Sequence, residues 1–201
     1  MLNRFSQARQ QLAALTRSNY GTLRGWVRHM LAQLELLAGR VDAHIALPTE
    51  PVHRLVFVCL GNINRSAFAE WVARGQGARV CSLGLSTTTG APAFPTAQHT
   101  AGYFGLDLGQ HQATDFSDYR YQPGDLLLAM EIRHVKQLQA RGIPAQAIVL
   151  LGAWSRPRRL HLHDPATLSD AYFFSCFTLI HSAVLNLCAE LRVRGSASMQ
   201  P

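Results

Sequence analysis

The stretch Arg54-Leu55-Val56-Phe57-Val58-Cys59-Leu60-Gly61-Asn62-Ile63-Asn64-Arg65-Ser66 decides how the chain is read. Its opening, Arg54 to Val58, is a short β-rich apolar run of the kind that forms a buried strand. A glycine-containing loop follows, and Ser66 to Arg74 reads as a helix. The strand–loop–helix unit then repeats in kind. Arg79 to Leu83 is a second strand, Pro95 to Phe104 a helix stopped by Gly105, and Asp125 to Met130 a third strand with a helix running to Arg141. Ala147 to Leu151 is a fourth strand, and the last helix runs from Asp170 to Arg192 with Phe173, Phe177, Ile180, Val184, Leu187 and Leu191 on its apolar side. Strands alternating with helices predict an α/β fold, a doubly wound four-stranded parallel sheet with helices on both faces.

Upstream the pattern changes. Leu12, Leu15, Leu23, Trp26, Val27, Met30, Leu31, Leu34 and Leu37 recur at steps of three and four, interrupted at Ser18-Asn19 and Gly21. This predicts an N-terminal helical extension of two helices, with Arg4, Arg9, Arg17, Arg24, Arg28 and Arg40 on its polar side. Two prolines in Ala46-Leu-Pro-Thr-Glu-Pro51 end it. The expected organisation is a helical extension and linker over 1–50, an α/β domain over 51–195 and a tail over 196–201. The apolar stripe is expected to pack on that domain or on a second copy, so residues 1–45 are the segment through which a homodimer or a partner would dock.

Composition narrows the classes. Of 201 residues, 48% are hydrophobic and 15% charged, which fits a chain with a packed core rather than a disordered one. The formal charge of +7 favours anionic partners, but it contains no Lys/Arg-rich block of the nucleic-acid-binding kind. No apolar run reaches the ~18–20 residues that span a bilayer. The four cysteines, Cys59, Cys81, Cys176 and Cys188, show no C-x-x-C spacing, and a cytoplasmic protein with reduced thiols is expected. Cys81, Cys176 and Cys188 read as buried packing residues.

Sites in parallel sheets gather at the carboxyl ends of strands, which points at Cys59. A cysteine, five residues, an arginine and a hydroxyl residue suit an anion. The loop Leu60, Gly61, Asn62, Ile63, Asn64, Arg65, Ser66 can curl with its N–H groups inward, at the positive end of the next helix. Arg65 can close the ring with a bidentate fork, and the positive surroundings favour a Cys59 thiolate able to attack phosphorus and form a phosphocysteine.

Here the sequence resembles the low-molecular-weight protein tyrosine phosphatases, whose signature V-C-x-G-N-x-C-R-S it matches at every fixed position but Asn64. The similarity runs from about Arg54 to Leu191. Ser82-Leu83-Gly84, the run Gly105 to His111, the strand Asp125 to Glu131, and Asp164-Pro165 with Phe173 nine residues on all look like family segments. The resemblance implies Cys59 as nucleophile, Arg65 as phosphate clamp, Ser66 as hydrogen-bond donor to the thiolate, and Asp164 as general acid and then base. It also implies that Asn62, supported by Ser82 and His111, holds the loop, and that no metal or other cofactor is needed. The expected substrate is a phosphorylated protein, phosphotyrosine foremost, or a small phosphomonoester.

Several positions depart from the family. Ala67, Ala166, Thr167 and the loop Leu85 to Gly90 lack its proline and its aromatic walls, for which Phe94, Tyr172 or Trp26 are the candidate replacements. Asn64 removes a second loop cysteine that could trap an oxidised nucleophile. An arsenate reductase on the same fold is the alternative enzyme, but Ala129 to Arg141 has no resolving cysteine. A non-catalytic phosphoprotein-binding module is the other alternative, and the retained Cys59, Arg65 and Asp164 argue against it. His161 and His163 alternate before Asp164 as rim residues, with no partner spaced to complete a metal site.

Overall fold

The computed structural model describes residues 13–197, so Arg4, Arg9, Leu12 and residues 198–201 of the expected tail lie outside the described residues. The sheet forms as expected: β1 (Arg54–Cys59), β2 (Val80–Gly84), β3 (Asp125–Ala129) and β4 (Ile148–Leu150) are parallel in the order β2-β1-β3-β4. The central strands are apolar on both sides because both sides are covered. Leu55, Phe57, Leu126 and Leu128 pack with Phe68 of α2 (Arg65–Gly75), Ala97 of α3 (Pro95–Gly102) and Phe173, Phe177 and Ile180 of α5 (Asp170–Ala197). Val56, Val58, Leu127 and Ala129 pack on the other side with Val135 and Leu138 of α4 (Ile132–Ala140).

Register places the site. Pairing of Arg54 with Asp125 and of Cys59 with Gly84 brings the strand ends into line. At the opposite end, Arg54 clamps Asp125 with two bonds of 2.8 and 2.6 Å, and Tyr119 Oη donates to the same carboxylate at 2.6 Å. Helix α5 runs past its expected end at Arg192 to Ala197. It is long and apolar enough by length and composition to cross a membrane, yet half of that span is buried in this core, the position of a central helix in a globular domain.

The extension forms its two helices, over 13–20 and in α1 (Leu23–Leu37). Gly21, at φ +74°, takes the left-handed turn between them, and Thr22 caps α1 by accepting from Gly25 N at 2.9 Å. The orientation corrects one of the two expected packings, that of the apolar stripe on the domain. Gly25 and Ala32 are the buried residues of α1, whereas Leu23, Trp26, Val27, Met30, Leu31, Leu34 and Leu37 are exposed. Small residues let the backbone come close, and the face carrying them sits against the domain. A Cβ on Gly25 would collide with the Tyr20 carbonyl oxygen and come within 2.9 Å of the His163 ring. Thr22 Oγ1 lies 3.4 Å from His163 Nε2, Arg159 donates to the Asn19 carbonyl at 2.9 Å, and Arg28 reaches Glu131 at 3.9 Å.

Replacing Gly25 with Val should therefore lift α1 from His163. We expect faster proteolytic cleavage between residues 13 and 50. The thermal midpoint should fall by about 2–4 °C for each kcal/mol of packing lost. An unchanged cleavage pattern would show that this contact does not hold the extension.

Candidate active site

Cys59 ends β1, and the next residues curl into a ring. The loop carbonyls are each taken by a donor from outside it. Leu60 O accepts from Ser86 N (2.9 Å), Gly61 O from Thr87 Oγ1 (2.7 Å), Ile63 O from Phe94 N (2.9 Å) and Asn64 O from Phe68 N (2.9 Å). His111 Nε2 lies 2.7 Å from Asn62 O. Turning every carbonyl outward leaves the N–H groups directed at the centre, the geometry of an anion nest. Asn62 sits at φ +51°, which asparagine tolerates better than most residues. Its side chain is fixed on both ends: Nδ2 donates to Ser66 Oγ (2.8 Å) and Ser82 Oγ (2.7 Å), and Oδ1 accepts from Thr114 N (2.8 Å). Ser82 in turn donates to Glu70 at 2.6 Å. Cys59 Sγ receives Asn62 N at 3.2 Å and lies 3.0 Å from Ser66 Oγ.

Arg65 opens α2 and is fully buried. Its Nη1 donates to Glu131 (2.6 Å) and to the Leu162 carbonyl (2.7 Å), and its Nη2 donates to Asp164 (2.7 Å). Its Nε is buried with no partner. Burial would lower the guanidinium's affinity for its proton, but the charges of Asp164, Glu131 and Cys59 more than reverse that. Glu131 is the hub behind it. Burial would raise its carboxyl, yet Arg65, His134 and His161 hold it well below the usual carboxylate range. Arg133 adds a bond of 2.9 Å.

The sequence-derived residues Cys59, Arg65, Ser66, Asn62, Ser82, His111 and Asp164 are thus brought together. Others were not foreseen: Glu131, Glu70, Thr87 and Thr114 carry the scaffold, and only the Glu131 position was visible, as the end of a strand resembling Met-Asp. His161 is buried beside Glu131 (3.6 Å) rather than on the rim, because the α1 extension covers that side. Among the described residues no group of three or more His, Cys, Asp or Glu is placed to hold a metal ion. Tyr172 is buried and donates to the His163 carbonyl at 3.2 Å, and Trp26 lies on the outward stripe of α1. Phe94 and Leu60, 37% and 36% exposed, are left at the loop. Cys81 is half-buried rather than buried, because β2 is an edge strand.

A profile of the family described as low molecular weight phosphotyrosine protein phosphatase matches residues 54–197. The chain belongs to this family. The probable low-molecular-weight protein-tyrosine-phosphatase EpsP of Ralstonia nicotianae is 30% identical over 92 residues, 45% of this chain and 63% of that protein. The alignment therefore spans somewhat less than two thirds of that relative. The low-molecular-weight protein-tyrosine-phosphatase Wzb of Escherichia coli K12 is 32% identical over 135 residues, 64% of this chain and 88% of its own. Among solved structures, the tyrosine phosphatase Wzb from Escherichia coli K30 in complex with sulphate superposes with a TM-score of 0.60 at 28% identity, covering 70% of this chain and 99% of that one. The extension lies outside the family match.

Two measurements follow. Burial pushes His134 down to about 3, with the Arg65 charge adding to it, and pushes His161 down to about 4 against the pull of Glu131. Unfolded histidine takes a proton near 6.5, so the unfolded chain binds more protons between there and about 4. Stability should fall as pH drops through that window, by up to about 1.4 kcal/mol per pH unit for each histidine. Urea midpoints from pH 7.5 to 4.5 would show it, and His134→Asn should flatten the slope.

The second concerns oxidation. Asn64 leaves Cys59 without a thiol in the loop. Cys81 is paired in register with Val56 and pushed up to about 11, chiefly by burial. Cys176 bonds the His163 carbonyl at 3.6 Å and is pushed up to about 12, again chiefly by burial. Peroxide should therefore carry Cys59 to forms that thiols do not reduce, and Asn64→Cys should restore reducible product, as read by the mass of the Cys59 peptide. A Cys59–Cys81 disulfide in the wild type would overturn this.

Proposed function

We propose that the protein hydrolyses phosphomonoesters, with phosphotyrosine in a protein as the substrate class, through a cysteine-bound phosphoryl intermediate. The observation that carries this is Arg65 Nε, buried and partnerless beside a loop whose carbonyls are all turned outward. An unsatisfied buried cation donor is costly unless an anion completes it. A phosphoryl group in the ring takes the inward N–H groups and the Nε–Nη2 edge of Arg65 bidentately. A sulphate, an anion of the same shape, is bound by the E. coli K30 relative.

In this reading Cys59 Sγ attacks phosphorus and the P–O ester bond breaks. Asp164 supplies the proton to the leaving oxygen. Water then attacks phosphorus, gives its proton to Asp164, and the S–P bond breaks to return the thiolate, which Ser66 Oγ, 3.0 Å away, receives with a hydrogen bond. Arg65 and the N–H cradle offset the equatorial charge. The Asp164–Arg65 bond gives the cycle an order. Asp164 occupies Nη2 while no phosphate is bound, and the arriving phosphoryl group displaces it. The freed carboxyl, 29% exposed, takes the proton that the arriving phosphate monoanion or solvent carries and passes it to the ester oxygen. Glu131 and the Leu162 carbonyl keep Nη1, so the guanidinium plane stays fixed. Phe94 and Leu60 supply the apolar contact to a substrate ring. The four free cysteines fit a reducing, cytoplasmic setting.

The test is turnover of a small aryl phosphate. Cys59→Ser should abolish it while retaining vanadate binding, and Arg65→Ala should lose both. Asp164→Asn should slow it by about 10²–10⁴, most with poor leaving groups. Full activity in Cys59→Ser would refute the assignment.

A further inference from the structure

Helix α1 has two faces with different tasks. At 100° per residue, Gly25 and Ala32 fall opposite Leu23, Val27, Met30 and Leu34. The first pair is buried on the domain, so the domain cannot also take the second face. Leu23 is 69% exposed, Leu34 59% and Leu37 82%. Contiguous apolar surface of this kind marks an interaction site.

The charges around it indicate what lies against it. The first forty residues hold six arginines and one acidic residue, Glu35, so most of the chain's +7 excess falls in a fifth of its length. Arg17, Arg24 and Arg40 are exposed on the extension, while Glu35 faces Lys136 of the domain at 3.8 Å. A second copy is the poorer occupant. Two such helices would meet with arginine flanks and no acidic side chain to pair with them, whereas paired helices use opposite charges there. A leucine-rich face carrying a tryptophan and bordered by arginines fits the boundary between acyl chains and anionic headgroups.

We propose that the outer face of α1 seats the protein on a membrane surface rich in anionic lipid. The inner face of the same helix touches His163, next to Asp164, and reaches Glu131, behind Arg65. Docking therefore sets the carboxyl edge of the sheet, where the candidate site lies, beside the bilayer.

The experiment is co-sedimentation of the full chain with vesicles of phosphatidylcholine alone and with one third phosphatidylglycerol, at low and at physiological salt. Binding should require phosphatidylglycerol and weaken with salt. Val27→Glu with Leu34→Glu should reduce it by at least about tenfold. Arg17→Gln and Arg24→Gln should cost about fivefold each. Far-ultraviolet circular dichroism and aryl phosphate turnover should be unchanged in these surface variants. Equal binding to both vesicle types, or binding to neither, would overturn the proposal. So would a wild-type dimer in light scattering that Leu34→Glu dissolves.

Discussion

The buried pairing of Arg65 with Glu131 is the constraint on which the rest of this structure depends. Both side chains are fully buried. Neither charge would be tolerable there alone, since breaking a buried pair leaves a charge whose desolvation costs about 3–5 kcal/mol. The pair therefore dictates what surrounds it: the Leu162 carbonyl and Asp164 on one side, Arg133, His134 and His161 on the other. It also ties the start of α2 to Glu131, the residue that precedes α4, which fixes the plane of the guanidinium before any ligand arrives. Pre-orientation of that kind is what makes electrostatic catalysis effective, because no reorganisation is needed when charge develops.

The loop is held by a different device. Its shape is not intrinsic to its sequence beyond Gly61 and Asn62. It is imposed by donors from the segment after β2, from the start of α3, from α2 itself and from His111. The Asn62 side chain adds a second tie through Ser66, Ser82 and Thr114. Two kinds of rigidity thus meet at Cys59, one built from buried charge and one from outward-turned carbonyls.

Much of this was legible in the sequence. The four strands, their parallel order class and the placing of Cys59 at a strand end follow from short apolar runs with glycine-bearing breaks, and the bounds of each strand differ from those expected by no more than one residue at either end. Cys59, Arg65 and Asp164 were visible because motif spacing and the resemblance carry them. Glu131 as hub was not, because a buried carboxylate gives no periodic signal and its partners come from residues far apart in sequence. The stripe of α1 was read correctly as helical; of its two expected coverings, the domain and a second copy, the domain is not the one. Hydrophobic periodicity reports which face is apolar, but the close approach permitted by Gly25 and Ala32 decided which face met the domain. Two small residues seven apart are a weak signal beside seven large apolar ones.

The outward-turned carbonyls have a consequence for how the cradle comes into being. Gly61 is held by Thr87, Asn62 by His111 and Ile63 by Phe94, so its ties reach across 26 to 49 residues of chain. None of them exists in a collapsed chain that has its helices and strands but lacks fixed side-chain packing. Such an intermediate would present a cysteine and an arginine with nothing to hold a tetrahedral oxyanion between them. The anion affinity proposed for the loop is accordingly a property of the finished tertiary structure alone, and its appearance during refolding would mark the last act of assembly rather than the first.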